Sequence, residues 1–197
     1  MTPGHLIYGR GQTTLASGNL FLLIRAYIAG AGANSEFGDK FKAYLDRLQA
    51  KDLTLDYDND FRQLLSRAGK DPVMQSIQDQ FFERVYFEPA VTSAGGPGIQ
   101  SPLGLAVVYD SSVYGSFGLI RDRVNVKLYG PSATPPSRID EKEWIKEYVS
   151  DRRSWMENHP NPLIRPMVYR MDVFKQLIDS ENWGLVAPVI VRGVTLD

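Results

Sequence analysis

The segment Phe81–Val91, with the sequence FFERVYFEPAV, constrains more than any other what this chain can fold into. Four of its side chains are large aromatic groups, and Glu83, Arg84 and Glu88 lie among them. A charged group that is packed beside bulky apolar side chains needs a partner, because burial of an unpaired charge is strongly unfavourable. The segment therefore predicts a folded environment in which each of these charges is paired.

Apolar residues recur at helical spacing along most of the chain. Asp71-Pro72 and Ser101-Pro102 each have the pattern of a helix N-cap followed by proline at the first helical position. The helices that we predict cover Leu20–Ile28, Phe37–Leu48, Phe61–Leu65, Asp71–Phe81, Leu103–Tyr114, Asp140–Met156 and Val168–Ile178. Val186–Val194 is predicted to be extended. Without internal repeats or a clear linker, the sequence predicts one mainly α-helical domain over residues 1–197.

Composition excludes several classes of function. The chain has no cysteine and only His5 and His159, so we predict no disulfide, no metal site and no cofactor. Its net charge of -1 argues against a nucleic-acid partner. No apolar run reaches membrane-spanning length, so no membrane partner is expected. The first residues lack the basic-then-apolar order of a signal peptide.

The first candidate for a functional site is the stretch Gly9-Arg10-Gly11-Gln12-Thr13-Thr14. Glycines allow a backbone to approach a ligand closely, and threonine hydroxyls can hold a water molecule. The alternative is an ordinary turn without a ligand.

Asp110 is the second candidate, because helical spacing places it on one face with Leu103, Ala106 and Val107. A carboxylate that points inward needs a cationic partner, and arginine suits that task. The arginines that we consider are Arg152, Arg153 and Arg165. Two interpretations stay open. The group is a structural ion pair, or it is a network that orients a catalytic acid.

Asp56, Asp58 and Asp60 alternate as in a calcium-binding loop. Phe61 stands where such a loop has glycine, and Arg67 stands where it has glutamate. We therefore interpret the three aspartates as a solvated acidic turn.

Several blocks of the chain follow, in the same order, the motifs of one enzyme family. Gly9–Thr13 resembles its GRGYT turn, and Glu83–Val91 resembles its DRVYFDPAV, the most specific block. The shorter blocks are Glu36–Gly38 (EPG), Lys42–Leu45 (AKYL), Lys70–Val73 (KDTV), Tyr109-Asp110 (the end of YYD) and Ser116–Arg121 (SFGGIR). The chain thus resembles the chitosanases of glycoside hydrolase family 46. The resemblance implies a two-lobed, mainly helical fold with a cleft, related to the lysozymes.

The resemblance also implies roles for single residues. Thr13 matches the threonine that holds the attacking water, and Gly9–Gly11 forms the substrate-binding turn. Asp110 matches the buried aspartate of an arginine network behind the general acid. One network arginine falls at Arg152 or Arg153, and the other is expected at Arg165. The family's substrate-binding aspartate falls near Asn19 in this chain.

Two positions depart from the family pattern. The family's general base directly precedes the turn, where this chain has Tyr8. Its general acid lies further upstream, on a helix that residues 1–197 are expected to lack. An inverting glycosidase needs two carboxyl groups about 6.5–9.5 Å apart. The chain is therefore interpreted as truncated at its N-terminus, as recruiting other carboxylates such as Glu36, Asp56, Asp58 or Asp60, or as binding a glycan without cleaving it.

From this resemblance we expect a glycoside hydrolase domain that cleaves an amino-sugar polymer, chitosan or peptidoglycan, with inversion. The alternative is a non-catalytic module of the same fold that binds a glycan or a protein. The expected partner is a polysaccharide, with a larger parent chain or an inhibitor protein as further candidates. Action outside the cell or in the periplasm is expected.

Overall fold

In the computed structural model, residues 5–31, 36–96, 98–131 and 139–196 are described. By its internal contacts the chain divides into two compact units, residues 1–85 and 86–197. Helices dominate both, so the prediction of a mainly α-helical fold is confirmed. Among the described helices, none is both long enough and apolar enough to cross a membrane.

The described residues of the first unit form five α-helices. They are α1 (Asn19–Ala31), α2 (Glu36–Lys42), α3 (Leu45–Gln49), α4 (Asn59–Ala68) and α5 (Pro72–Phe82), with a short 3-10 helix at Leu53–Tyr57. The single helix predicted over Phe37–Leu48 is thus two helices with a break between them. Their apolar faces enclose a core that includes Tyr27, Phe41 and Phe61, whose rings meet edge to face.

In the part of the second unit that the structure describes, five further α-helices and one β-hairpin are present. These are α6 (Glu88–Gly95), α7 (Pro102–Val113), α8 (Phe117–Tyr129), α9 (Glu141–Glu157), α10 (Tyr169–Asp179), β1 (Val189–Val191) and β2 (Val194–Leu196). The two strands pair antiparallel, with Val191 opposite Val194. Trp144 and Tyr148 of α9 stack on each other and lie in the core of this unit.

Side-chain caps fix where several helices begin. The Asp71 carboxylate accepts a hydrogen bond from Val73 N (2.9 Å) ahead of Pro72, and it also accepts the Tyr27 hydroxyl at 2.5 Å. Ser101 Oγ accepts from Gly104 N (3.0 Å) at the start of α7. Both predicted cap-plus-proline signals are therefore helix starts, because the interactions that make a cap are local.

The segment Phe81–Val91 differs from the expectation. Glu83–Phe87 forms a π-helical turn in which no residue is buried, and Glu83, Arg84 and Glu88 are all exposed or partly exposed. Phe81 and Ala90, on either side, are buried. Each of these charges was expected to need a partner, but the turn directs all three to solvent, where burial imposes none on them.

Two of the three aspartates of the acidic triplet, Asp56 and Asp58, have structural roles. Asp56 is 2% exposed and accepts Leu6 N at 3.1 Å and the His5 ring nitrogen at 2.8 Å. Asp58 caps α4 by accepting Phe61 N at 3.0 Å. The interpretation as a solvated turn is therefore wrong for Asp56, which holds the segment that leads into the glycine turn. Among the described residues, no group of three or more His, Cys, Asp or Glu side chains has the geometry to hold a metal ion.

Candidate functional site

The glycine turn of the first unit is a closed hairpin-like loop. Tyr8 and Thr13 exchange both backbone hydrogen bonds, each 2.9 Å long, and Gln12 N donates to Gly9 O at 3.1 Å. Gly9 has φ +70, a backbone conformation that L side chains rarely adopt. The turn therefore has one rigid geometry, with Arg10 and Gly11 at its tip.

Helix α5 holds this turn from one side. Gln78 is 8% exposed, and its Oε1 accepts the backbone N–H of Arg10 at 3.1 Å. A Cβ atom at Gly9 would lie 2.8 Å from Cδ of Gln78, which is closer than real side chains come. The glycine is thus required both by its backbone angle and by the carboxamide beside it. The next residue on the helix, Asp79, accepts a hydrogen bond from the Arg10 guanidinium.

An open pocket of about 690 Å³ lies at this junction. We call it the turn pocket, and its lining consists of Tyr8, Gly9, Arg10, Gly69, Gln75, Gln78 and Asp79. The lining is about half polar, and it holds one cation, Arg10, and one carboxylate, Asp79. Such a composition suits a hydroxyl-rich, charged ligand.

Tyr8 occupies the position that precedes the turn. Its hydroxyl is buried and has no hydrogen-bond partner among the described residues. Burial is the main cause that raises the pKa of Tyr8 to about 12, with a smaller contribution from Tyr27. The phenol therefore stays protonated at neutral pH, and it cannot accept a proton from water as a carboxylate base would.

Thr13 and Asn19 were the other expected contacts in this unit. Thr13 is 1% exposed, and its hydroxyl donates to Tyr8 O at 2.9 Å, so this proton closes the turn. Asn19 is the first residue of α1 and is partly buried. The roles of both residues in holding water and substrate stay predictions.

The carboxylates considered as substitutes have structural partners. Glu36 accepts hydrogen bonds from Lys40 (3.0 Å) and Arg67 (2.8 Å), and these contacts, Lys40 first, lower its pKa. The pKa of Asp58 is also lowered, mainly by the Phe61 N–H that it accepts. Both groups are thus held in the ionised form, which is the wrong direction for a general acid.

The second unit holds an ionic group, which we call the buried triad: Asp110 and Arg152 are buried, and Arg170 is partly buried with 23% of its side chain exposed. Asp110 Oδ2 accepts from Arg152 Nη1 at 2.7 Å, and its Oδ1 accepts from Arg170 Nε at 2.7 Å and also from Arg170 Nη2. The Arg152 side chain is completely buried, and only 6% of the Asp110 side chain is exposed. Helices α7, α9 and α10 supply one member each.

The triad is rich in positive charge. Two arginines (+2) face one aspartate (−1), which leaves a net charge of +1. Arg152 Nη1 also donates to Ser111 Oγ at 2.6 Å, whereas Nε and Nη2 of Arg152 have no partner among the described residues. Burial opposes the charged form of Arg170, but its contacts with Asp110 outweigh burial and raise the pKa of Arg170. The guanidinium of Arg170 also lies 3.9 Å from the ring centroid of Tyr114.

The two remaining predicted arginines lie elsewhere. Arg153 pairs with Asp172 (2.7 Å) and Glu157 (3.0 Å). Arg165 donates to the backbone oxygens of His159 and Pro160, so the prediction that it pairs with Asp110 is wrong. Of the two alternatives Arg152 and Arg153, it is Arg152 that pairs with Asp110, because the buried face of α9 that carries Trp144 and Tyr148 also carries Arg152.

Arg170 is the member of the triad that the sequence reasoning missed. It shares one face of α10 with Val173, Phe174 and Leu177, and all four line the same apolar pocket. A charged residue at helical spacing with three apolar ones is the signal that identifies it.

Comparison with known proteins gives a consistent result. The sequence profile described as Glycosyl hydrolase family 46 matches residues 8–189. A chitosanase from Bacillus subtilis is 27% identical over 199 residues, which cover 93% of this chain and 69% of that protein. A chitosanase from a Streptomyces species is 34% identical over 96 residues, which cover 45% of this chain and 33% of that protein.

Solved structures share the fold. A chitosanase of Gynuella sunshinyii in complex with chitotetraose superposes with a TM-score of 0.79 at 24% identity, over 96% of this chain and 82% of that one. A mutant chitosanase from Bacillus subtilis, complexed with 6 GlcN, gives a TM-score of 0.77 at 25% identity, over 93% and 79% of the two chains.

Proposed function

Because the chain belongs to glycosyl hydrolase family 46, we propose that it is a glycoside hydrolase domain that acts on chitosan. The observation that carries the proposal is the family match over residues 8–189, which includes both the glycine turn and the buried triad. The similarity to a chitosanase over 93% of the chain supports chitosan over peptidoglycan as the substrate. Cleavage with inversion is part of the proposal.

Each site has a separate part in this proposal. Gly9, Arg10, Gly11 and Asn19 contact the sugar chain, and Thr13 Oγ1 accepts a hydrogen bond from the attacking water while its own hydroxyl continues to donate to Tyr8 O. The buried triad positions the acid side of the reaction, with Arg152 and Arg170 in the roles that the resemblance gives to network arginines. Arg153 and Arg165 are left out of the proposal, because their partners are surface groups.

The direct test is release of reducing ends from fully deacetylated chitosan, run in parallel with clearing of a peptidoglycan suspension. Release from chitosan alone is expected. Release from peptidoglycan alone would contradict the substrate, and release from neither would contradict the hydrolase. Proton NMR of the first-formed product is expected to show the anomer inverted relative to the substrate linkage, and retention would contradict the proposed stereochemistry.

Tyr8 offers a sharper test of the chemistry. Its protonated phenol stands where the family's general base is expected, so Tyr8→Asp returns a carboxylate to that position. The rate of chitosan cleavage is expected to rise. General base catalysis typically contributes about 10²–10⁴-fold. Tyr8→Asn is the matched control without a charge, and an equal rate for both variants would contradict a base at this position.

A non-catalytic glycan-binding module is the second candidate. It is favoured by the phenol at Tyr8, which cannot serve as a base, and by the Thr13 proton, which is donated within the turn. Binding of chitosan without release of reducing ends by the protein and by Tyr8→Asp would support it.

The proposed place of action is outside the cell or in the periplasm, where a polymer too large to enter the cytoplasm is accessible. A larger parent chain or an inhibitor protein is a further proposed partner. Cell fractionation followed by immunoblotting tests the location, and protein found only in the cytoplasm would contradict it.

A further inference from the structure

We propose that the turn pocket binds one glucosamine unit and that Asp79 is the residue that selects a free ammonium group over an acetamido group. The identity of the sugar rests on the proposed function, whereas the selecting residue is inferred from the pocket itself. Nothing in the resemblance assigns a role to Asp79, Gln75 or Gln78.

Hydrogen bonds fix several of the residues that line the turn pocket. Gln78 is almost completely buried and fixes the turn through Arg10 N, while Asp79 takes the guanidinium of the same residue. Two neighbouring residues of α5 thus hold Arg10 at both its backbone and its side chain. On the opposite side, Gln75 Nε2 donates to Gly69 O at 3.2 Å, which ties the pocket wall to the end of α4. A ligand therefore meets a preorganised surface.

The charges are placed for contact with a ligand. The side chains of Arg10 and Asp79 are 75% and 56% exposed, although they pair with each other. Among the described residues, only Arg10 bonds to the Asp79 carboxylate. An ionised carboxylate has about four lone-pair sites, so it can accept further hydrogen bonds while Arg10 remains bound.

The selectivity follows from the two forms of the sugar. A protonated amine brings a positive charge and three donors to Asp79, which makes a charge-assisted hydrogen bond. An acetamido group brings one donor, one acceptor and no charge, so it loses this bond. Arg10 and the amides of Gln75 and Gln78 offer donors and acceptors to sugar hydroxyls of either form.

A simple alternative is that Arg10 and Asp79 form an ordinary surface ion pair. Exposed pairs of this kind contribute little to stability and often have no function. The two alternatives differ in one observable, which is the preference between amino and acetamido sugars.

The test is calorimetric titration of the full chain with a glucosamine hexamer and with an N-acetylglucosamine hexamer. Asp79→Asn keeps the shape of the side chain and removes its charge. It is expected to weaken binding of the glucosamine hexamer by about three- to tenfold, the range for an exposed charged hydrogen bond, and to leave the acetylated hexamer unchanged. Asp79→Glu is expected to retain most of the preference.

Asp39→Asn is the matched control. Asp39 is also exposed and also ion-paired, with Lys42 at 2.7 Å, but it lies outside the turn pocket. No change for either hexamer is expected in this variant. Equal binding by the protein and Asp79→Asn, or equal weakening for both hexamers, would overturn the inference.

The titration does not depend on turnover, so the two proposals fail separately. Binding of the glucosamine hexamer without release of reducing ends would contradict the hydrolase and leave the sugar site standing. If the protein releases reducing ends and its Asp79→Asn variant binds the glucosamine hexamer as tightly as the unsubstituted protein, the hydrolase stands and the role of Asp79 is contradicted. Failure of the protein to bind the glucosamine hexamer at all would overturn the sugar site.

Discussion

The two units use charged residues in opposite ways. In the first unit, Arg10 and Asp79 form a pair whose side chains are 75% and 56% exposed, beside an open pocket. In the second unit, the Asp110 and Arg152 side chains are 6% and 0% exposed, inside the core. The exposed pair remains in water and can exchange partners with a ligand, whereas Asp110 and Arg152 are shielded from water and depend on the other members of the triad.

This difference separates binding from folding. Breaking an exposed pair changes little besides what it contacts, but removing one member of a buried group leaves the others uncompensated. We therefore expect substitutions at the turn pocket to change affinity for the sugar, and substitutions in the buried triad to change the free energy of unfolding. The predictions below test this division.

The largest effect is expected from Asp110→Asn. This change leaves the buried Arg152 and the partly buried Arg170 without their anion, so the free energy of unfolding is expected to fall by about 3–5 kcal/mol. Urea unfolding followed by circular dichroism measures it. A loss below about 1 kcal/mol would show that the triad is not a buried charge group.

Arg152→Met and Arg153→Met are a matched pair of neighbours that sharpens this result. Arg152→Met removes a cation whose Nε and Nη2 have no partner among the described residues. It leaves Asp110 paired with Arg170, so the free energy of unfolding is expected to fall less than in Asp110→Asn. Arg153→Met breaks exposed pairs and is expected to change stability by less than about 1 kcal/mol. A larger loss of stability in Arg153→Met than in Arg152→Met would contradict the claim that buried charges contribute more to stability than exposed ones.

The next effect is a loss of stability in alkali. Burial raises the pKa of Tyr148 from 10.0 to about 12 in the folded state. Between these pH values the unfolded chain binds fewer protons than the folded one, so stability is complete below pH 10.0 and falls as the pH rises toward about 12. The loss due to this residue is at most about 2–3 kcal/mol.

Tyr148→Phe cannot ionise and is expected to flatten this part of the pH profile, measured by urea unfolding on both sides of the window. Tyr8 in the first unit also has a pKa of about 12, so Tyr8→Phe is expected to flatten the profile by a similar amount. A profile that neither substitution changes would contradict the raised pKa values.

Gly9→Ala is expected to destabilise the protein by about 1–2 kcal/mol through its positive φ. It is also expected to weaken binding of the glucosamine hexamer, because the new Cβ displaces the Gln78 carboxamide that holds Arg10. Gly193→Ala is the matched control, since Gly193 has φ +80 and a Cβ added there would meet no atom within 4 Å. It is expected to lose similar stability and no affinity. Equal affinity of the two variants would contradict the role of Gln78.

Local chemistry explains which parts of this fold were predictable. Asp71 and Ser101 mark the starts of α5 and α7, because a cap and the proline after it act within a few residues. Helix α8 was not predicted, because its apolar residues do not form one face: Ile120 and Val124 are buried, whereas Leu119 and Val126 are exposed. Predicting the two separate helices α2 and α3 from one amphipathic pattern failed for another reason, since the break at Tyr44 leaves the apolar spacing intact.

Partners that lie far apart in sequence were the part that could not be predicted. The inward position of Asp110 follows from helical spacing, but the choice of Arg170 over Arg165 depends on where α10 packs. The burial of Asp56 depends on His5 and Leu6, which are distant along the chain. The contact of Gln78 and Asp79 with Arg10 likewise arises only when α5 is folded against the turn.

The most direct test of this division is to measure two quantities on Asp79→Asn and Asp110→Asn: the free energy of unfolding, and the Kd for the glucosamine hexamer at a temperature where each variant is folded. Asp79→Asn is expected to raise the Kd and to keep the free energy of unfolding within about 0.5 kcal/mol. Asp110→Asn is expected to lose several kcal/mol and to keep its Kd. A destabilised Asp79→Asn with unchanged affinity, together with a stable Asp110→Asn, would contradict the account.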